Sequence, residues 1–311
     1  MKIKILQSGI LFGLKKQRSN QHKDNEGRFL IAFFPMLWMF LFFLIPMFII
    51  LKISFAEMQF SMPPFSKVFS CIGSYLIEIK INFKNYVNFL ANYYYIIAFK
   101  NSIVLSVTAT AICFLLGYPM AYGIHNANNK LKSILLLLVS FPFWTSFLIR
   151  VYAWMNLLSI NGAVNTALIK LGIINTPIQF IGNYYMVCLG LVFCYLPFMI
   201  FPVYSVMEKV DRSYIESALD LGCSRAKAFW SITFPLTYSG IFSGTILVFA
   251  TTIGEFIIPE LLGGSRVITF GRVLWNEFFT NLDWPMACAF SVIMMFFIIL
   301  PIFFIQKKAK I

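Results

Sequence analysis

The stretch ESALDLGCSRAKAFWSITFP, residues Glu216–Pro235, decides the fold prediction for this chain of 311 residues. It mixes charged and small side chains, is interrupted by Gly222, and lies between two long apolar runs. A membrane protein that holds a compact, charge-balanced helical segment between two spans can present it to a groove on a soluble partner. The stretch therefore predicts a membrane protein with a docking element at its surface.

The local pattern predicts two short helices joined by a turn. Ser213 is a candidate N-cap for the first helix, and Glu216, three residues later, completes a capping box. Gly222 supplies the left-handed conformation that ends a helix. A second helix is predicted over Arg225–Ser231, and Pro235 is placed to begin the next helix, where its missing N–H costs nothing. The competing interpretation is an ordinary interfacial loop whose charges are solvated.

The composition is that of a helical membrane protein. Hydrophobic residues make up 59% of the chain and charged residues only 12%, whereas a soluble domain carries about 25% charged residues. Each membrane helix needs about 20 mostly apolar residues, and the short alternating segments of a transmembrane barrel are missing from the sequence. We predict an all-α polytopic protein with six spans, at about residues 29–53, 95–123, 132–156, 184–206, 236–258 and 284–305.

The positive charge predicts topology rather than nucleic-acid binding. The net charge is +13, and much of it is concentrated in two terminal tails, residues 1–28 and 307–311, which flank a membrane domain of residues 29–306. Lys130 and Lys132 lie on the same side of the membrane as both tails if there are six spans. The positive-inside rule then places both termini and the loop of residues 207–235 in the cytoplasm, with the lipid bilayer as the contact of the basic excess.

No motif predicts catalysis or a metal site. The six cysteines show no metal-ligand or disulfide spacing. The two histidines, His22 and His125, are both predicted on the cytoplasmic side. The chain also lacks the G-x-x-x-x-G-K-[ST] phosphate loop, so any ATP must be handled by another subunit. We therefore predict a transport permease rather than an enzyme, with no cofactor of its own.

The spacing of Glu-x-Ala, Gly and Ile-x-x-Pro within Glu216–Pro235 resembles the coupling loop of ABC importer permeases. From the first predicted span to the last, the chain is similar to permeases of polyamine ABC importers, most like a putrescine permease. The segment Gly254–Gly264 favours polyamines, and putrescine over spermidine. The stretches that carry the resemblance are Ile53–Met58, Phe141–Tyr152, Leu196–Met199, Gly254–Gly264, Gly271–Phe279 and Asp283–Pro285.

The resemblance implies a type I importer fold and a set of partners. These are a cytoplasmic ABC ATPase dimer, a second homologous permease subunit and a periplasmic polyamine-binding protein. Ser217 stands where the family favours Ala, and Phe234 where it favours Leu; both substitutions keep size or apolarity. The implied ATPase-coupling residues are Glu216, Ser217, Ala218, Asp220, Gly222, Arg225, Ile232 and Pro235.

Glu255, near the outer end of the fifth predicted span, is the candidate for the substrate path or its gate. A carboxylate at mid-membrane costs about 2.5–3.5 kcal/mol on insertion scales, so it normally faces the protein interior or a cavity. Aromatic neighbours can stack on a cationic cargo, and Trp144, Tyr152 and Tyr195 are the candidates. The alternatives are structural: Glu255 pairs with Arg150, or it caps a helix end.

Other functions remain open from the sequence. Within the importer interpretation, spermidine or another small solute is the alternative cargo. An ion-coupled secondary transporter would need inverted repeats and several intramembrane ion-binding groups, and a membrane enzyme would need several polar or metal-binding groups at one depth. Glu260, Glu277 and Asp283 are predicted outside, where they can dock a binding protein, attract a cation or simply be solvated.

Overall fold

The computed structural model describes residues 32–66, 69–72, 76–79 and 81–309. The predicted tail of residues 1–28 and the last two residues lie outside the described residues. The helices are α1 (Ala32–Ser54), α2 (Lys84–Ala91), α3 (Tyr93–Asn126), α4 (Asn129–Ser140), α5 (Phe147–Leu158), α6 (Ala163–Lys170), α7 (Tyr184–Met207), α8 (Arg212–Asp220), α9 (Arg225–Leu236), α10 (Tyr238–Ile253), α11 (Ile257–Gly263), α12 (Phe270–Phe279) and α13 (Trp284–Ala309).

The predicted helical membrane fold is confirmed. A short antiparallel hairpin, β1 (Phe69–Ile72) with β2 (Leu76–Ile79), is added between α1 and α2. In the described part of the chain, four helical stretches are long and apolar enough to cross a membrane: α1, α3, α7 and Phe147–Lys170, which contains α5 and α6. The number is five if the bent pair of α9 and α10 is one span. The apolar part of α13, Trp284–Leu300, falls just below that length. The count of six spans therefore stays a prediction.

The third predicted span, residues 132–156, is not one helix. α4 ends at Ser140, a 3₁₀ turn follows over Phe141–Trp144, and α5 begins at Phe147. Pro142 cannot donate the backbone hydrogen bond that would continue α4, and Thr145 and Ser146 are extended, with ψ of 146° and 135°. The third predicted span therefore consists of two helices, α4 and α5, joined by a break of non-α-helical residues from Phe141 to Ser146.

The helices α3, α7 and α10 pack together as the core of the molecule. Met199 of α7 is fully buried between glycines of its two neighbours. A Cβ built on Gly117 of α3 would stand 2.8 Å from Met199 Cγ, and one on Gly244 of α10 would stand 2.8 Å from Met199 Sδ. Gly240 meets the backbone of α7 itself, because its Cβ would stand 2.8 Å from the carbonyl oxygen of Pro202. The glycine pair of α10 therefore permits the close helix packing that its spacing predicts.

A second, aromatic core joins α2, α3, α12 and α13. Phe89, Phe270 and Phe290 are buried there and meet edge to face or tilted, with ring centroids 5.2–6.0 Å apart, a spacing at which aromatic pairs attract. α1 packs against α13, its last residue Ser54 is buried against α2, and most of its other side chains are exposed. The two cores fix the ends of α3, which at about 1.5 Å per residue is roughly 51 Å long.

Candidate functional site

The polar segment, defined as residues 211–236, forms the predicted pair of helices, but its first helix is capped differently. The Asp211 carboxylate, not Ser213, is the N-cap, since it accepts a hydrogen bond of 3.0 Å from the Ser213 backbone N–H. The predicted capping box of Ser213 and Glu216 is therefore wrong, because α8 starts at Arg212, which places Ser213 inside it. The bond from the Ser213 N–H lowers the pKa of Asp211.

Gly222 ends α8 as predicted. Its φ is +82°, a conformation that side chains with a Cβ disfavour. Its N–H donates to the Leu219 carbonyl over 2.9 Å, and the Cys223 N–H donates to the Ala218 carbonyl over 3.0 Å. These two bonds are those of a Schellman motif. Ser224 then caps α9 by accepting a hydrogen bond of 3.3 Å from the backbone N–H of Lys227.

The polar segment exposes most of its predicted coupling residues. The exposed ones are Glu216, Ser217, Asp220, Gly222, Arg225 and Pro235, whereas Ala218 and Ile232 are half-buried. Large apolar side chains lie beside them: Leu221 is 89% exposed, Trp230 64% and Tyr214 58%. These three were not singled out from the sequence. Exposed apolar groups among charges are typical of an interaction surface, and for Trp230 the available signal was an aromatic residue within a charged stretch.

α9 is anchored to α3 by aromatic side chains. Phe229 contacts Tyr118 and Tyr122 with ring centroids 5.9 and 5.2 Å apart, and Phe234 contacts Tyr118 at 5.6 Å. The Tyr118 hydroxyl also shares a hydrogen bond of 3.1 Å with Thr237 Oγ1. Both of these polar residues are buried. The polar segment is thus fixed to α3 through side chains as well as to α10 through the backbone.

The bend between α9 and α10 lies at Thr237, and the two helices meet at 61°. Pro235 lies in the first turn of a short α-helical stretch, Phe234–Leu236, as its missing N–H predicts. That stretch closes α9, and the long helix α10 begins only after the bend, at Tyr238. The second helix also extends past the predicted Ser231, through a π turn at Phe229–Thr233. Pro235 has no N–H to donate to the turn before it. In the π turn the hydrogen bonds run from residue i to residue i−5 instead of i−4, as from the Phe234 N–H to the Phe229 carbonyl.

A charged cluster lies at the end of α7, just before the polar segment. Glu208 accepts hydrogen bonds of 3.2 Å from Lys132 of α4, and His125 Nδ1 of α3 lies 3.3 Å from its Oε2. Partial burial would raise the pKa of Glu208, but the bonds with Lys132 and His125 outweigh it and hold the pKa below its ordinary value. The cluster ties α3, α4 and α7 together where the polar segment begins.

A second candidate site is a cavity of about 600 Å³ that includes Glu255. The Tyr195 hydroxyl donates to the Glu255 carboxylate, and the backbone N–H of Ile257 donates to Glu255 Oε1 over 2.9 Å. Tyr195 is eleven residues from the start of α7, about 17 Å along a helix of 24 residues. The cavity therefore lies near the middle of the span. Its lining is Phe143, Thr145, Phe147, Arg150, Cys194, Tyr195, Phe198, Thr251, Gly254, Glu255, Phe256 and Ile257.

The structure separates the roles proposed for Glu255. Within the described ranges it forms no ion pair with Arg150. Its bond from the Ile257 N–H does satisfy the first turn of α11, so Glu255 serves as a helix cap and a cavity residue at once. Of the aromatic candidates, Tyr195 lines the cavity, whereas Trp144 and Tyr152 do not. At the break between α4 and α5, Phe143 and Phe147 line the cavity instead. A single uninterrupted helix over the third predicted span did not predict this.

Arg150 is held by the break in the third predicted span. Its Nη2 donates to the carbonyl oxygens of Pro142 and Thr145 over 2.5 and 3.3 Å. The guanidinium carbon lies 6.0 Å from the centre of the Phe147 ring, within reach of a cation–π interaction. Backbone carbonyls of the break thus hold a charged side chain at the cavity wall, a common arrangement for intramembrane arginines.

The acidic residues between α11 and α13 differ in availability. Glu260 forms an ion pair of 2.5 Å with Arg272. Glu277 is buried and accepts hydrogen bonds of 3.0 Å from Tyr95 and 2.8 Å from Asn281. Burial raises the pKa of Asp283. The ion pair of Glu260 and the hydrogen bonds of Glu277 satisfy both carboxylates within the protein, so neither needs a ligand to account for its position.

Comparisons with known proteins agree with this geometry. The family described as "Binding-protein-dependent transport system inner membrane component" matches residues 113–308, which include the polar segment and the cavity. The spermidine/putrescine transport system permease protein PotB of Haemophilus influenzae is 36% identical over 274 residues, 88% of this chain and 91% of the relative. PotB of Escherichia coli is 37% identical over 216 residues, 70% of this chain and 78% of the relative.

The fold has a solved counterpart. A bacterial ABC transporter involved in the import of the acidic polysaccharide alginate superposes with a TM-score of 0.66 at 17% identity, covering 93% of this chain and 97% of that one. The likeness shows the ABC importer permease fold. The sequence relatives are permease proteins rather than enzymes. This chain is therefore a multi-pass inner-membrane permease subunit, and it belongs to the family of inner-membrane components of binding-protein-dependent transport systems.

Proposed function

We propose that this chain is a permease subunit of an ATP-driven importer for polyamines, with putrescine as its main cargo. Its partners are a cytoplasmic ABC ATPase dimer, a second homologous permease subunit and a periplasmic polyamine-binding protein. The identity to spermidine/putrescine permeases over most of the chain supports the cargo class. The preference for putrescine over spermidine rests on the resemblance of Gly254–Gly264 alone.

The observation that carries the proposal is Glu255 in its cavity. A carboxylate just past the end of α10 and level with the middle of α7, bound by the Tyr195 hydroxyl and surrounded by phenylalanine rings, suits an alkyl chain with ammonium ends. The carboxylate attracts an ammonium group, and each well-placed ring adds roughly 0.5–2 kcal/mol through cation–π contact. The cavity volume of about 600 Å³ is within the range of about 300–1,000 Å³ for small-molecule sites.

The polar segment provides the coupling to the ATPase. Its proposed contact residues are Glu216, Ser217, Ala218, Asp220, Gly222, Arg225, Ile232 and Pro235, with the exposed Leu221 and Trp230 beside them. ATP-driven closure of the ATPase pair moves this segment, and the motion passes to α10 at Thr237 and to α3 through Tyr118. The cavity then opens to alternate sides. Coupling requires that the ATPase contact differ between the two states.

The basic tails and Lys130 favour a cytoplasmic location for both termini. With that topology the polar segment and the cluster around Glu208 face the cytoplasm, where the ATPase is. The loops around α2 and α12 then face the binding protein. This orientation follows from charge distribution and an even number of spans.

Uptake of radiolabelled putrescine and spermidine by a Glu255→Gln variant tests the cavity's role. We expect uptake to fall at least tenfold, with normal assembly and ATPase content. Glu260→Gln is the matched control, because Glu260 is exposed and paired with Arg272; we expect its uptake to stay within about twofold of wild type. Unchanged uptake in Glu255→Gln would remove Glu255 from the path.

The rival is an ion-coupled secondary transporter. It predicts that the purified chain alone moves cargo into liposomes when an ion gradient is imposed. The importer predicts no such transport, and co-purification with an ATPase that Glu216→Lys abolishes. Either result separates the two functions without any knowledge of the cargo.

A further inference from the structure

The cavity that includes Glu255 carries a positive charge as well as a negative one. Among its described lining residues, Arg150 and Glu255 are the two with full charges. They do not neutralise each other by direct contact, since no ion pair joins them within the described part of the chain. The cavity wall is therefore close to neutral overall, with its two charges kept apart.

Arg150 is fixed in place rather than free to leave. Two carbonyl oxygens in the break between α4 and α5 accept hydrogen bonds from its Nη2, and the Phe147 ring lies 6.0 Å from its guanidinium carbon. The arginine thus occupies an aromatic surface on which a cationic cargo would otherwise stack. The two hydrogen bonds explain why Arg150 lies at this position. Because it lies there, its positive charge also becomes part of the cavity wall.

Glu255 is likewise partly engaged before any cargo arrives. One carboxylate oxygen accepts from the Tyr195 hydroxyl and the other from the Ile257 N–H. A diammonium cargo therefore meets one carboxylate that already has partners, and one like charge on the same wall. A path must bind its cargo well enough to admit it and weakly enough to release it, as in ion channels.

We propose that Arg150 is an affinity-determining residue that keeps the cavity a weak, transient site for a dication. This inference rests on the proposed polyamine function. Without the arginine charge, Glu255 and the phenylalanine rings would hold the cargo tightly and slow its release. The tight capture of cargo is then left to the binding protein, and the permease cavity contributes passage.

Arg150→Gln and Arg150→Lys form the decisive pair. Glutamine removes the charge and keeps an amide donor on a shorter side chain, whereas lysine keeps the charge and loses the planar fork. Equilibrium binding of radiolabelled putrescine is measured on the assembled transporter complex in lipid nanodiscs, without the binding protein. Uptake kinetics of the same variants are measured in proteoliposomes with the binding protein.

For Arg150→Gln we expect putrescine to bind at least about tenfold more tightly, and kcat of uptake to fall by a similar factor. A unit-charge interaction inside a protein readily exceeds the ~1.4 kcal/mol that a tenfold change requires. Arg150→Lys should stay within about threefold of wild type in both measurements. Equal losses in both variants, or weaker binding in Arg150→Gln, would mean that Arg150 acts only through its structural bonds.

Thr251 offers a test that leaves Arg150 and its bonds intact. It lines the same cavity, and Thr251→Asp adds a second carboxylate there. Thr251→Asn is the control, because asparagine has nearly the same shape as aspartate but no charge. We expect the aspartate variant to bind putrescine at least about tenfold more tightly than the asparagine variant and to transport it more slowly. Equal binding in the two would overturn the inference. Failure of the proposed function is recognised separately, because the wild-type complex would then import neither putrescine nor spermidine.

Discussion

Replacing Gly240 by alanine should force α7 and α10 apart. The new Cβ would stand 2.8 Å from the Pro202 carbonyl oxygen and 3.0 Å from Val203 Cα. Both are backbone atoms, so no side-chain rotation relieves the contact and the helices themselves must move. Overpacking of this kind costs about 1–3 kcal/mol. Helix propensity acts in the opposite direction, since alanine is favoured over glycine by about 1 kcal/mol.

Gly123→Ala is the control that isolates the steric cost. Gly123 is also helical, and a Cβ built there meets nothing within 4 Å. Because both variants gain helix propensity, the difference between them measures the contact with α7. At about 2–4 °C per kcal/mol, Gly240→Ala should melt roughly 2–12 °C below Gly123→Ala in thermal denaturation of the purified protein in detergent. Equal or higher melting of Gly240→Ala would refute the close packing.

The remaining predictions concern the polar segment and its supports. Tyr118→Phe removes the 3.1 Å hydrogen bond to Thr237 at the bend between α9 and α10 while keeping the ring. More ATP should then be hydrolysed per polyamine imported, by up to about threefold for a membrane hydrogen bond of roughly 0.6 kcal/mol. Tyr122→Phe is the control, and an unchanged ratio of ATP hydrolysed to polyamine imported would exclude a role of this bond in coupling. Glu208→Gln should reduce the free energy of unfolding at pH 7 by under about 1 kcal/mol, because Glu208 is partly exposed, and the melting temperature should fall slightly as a result. Since the folded pKa of Glu208 is lowered, its stabilisation is present above its ordinary pKa and is lost as pH falls through the folded value; a deficit that persists at lower pH would contradict this. Gly222→Val should abolish co-purification with the ATPase, whereas Gly172→Val, at a φ of +68° elsewhere, should strain its turn equally and leave the complex intact.

The sequence was sufficient for the features that depend on local chemistry. Gly222 ends α8 because a left-handed turn requires it, and the apolar runs gave the helices their approximate positions. The N-cap was assigned two residues late, because Asp211 and Ser213 are both good capping residues and only the backbone geometry distinguishes them.

The break in the third predicted span could not be predicted from proline alone. α7 contains Pro197 and Pro202 and remains one helix, whereas α4 ends next to Pro142. The break has a tertiary contact that the sequence pattern does not show, since Arg150 donates hydrogen bonds to the carbonyls of Pro142 and Thr145. Of the residues that line the cavity, Glu255 and Tyr195 could be predicted from their chemistry, whereas Phe143 and Phe147 depend on the break.

The measurement that tests the central claim most directly is polyamine uptake by the reconstituted transporter. Proteoliposomes would contain this chain with its second permease subunit and ATPase, ATP inside, and the binding protein with radiolabelled putrescine or spermidine outside. We expect uptake that requires both ATP and the binding protein and that Gly222→Val abolishes. Uptake that continues without ATP, or a complex that hydrolyses ATP with the binding protein yet accumulates neither polyamine, would contradict it.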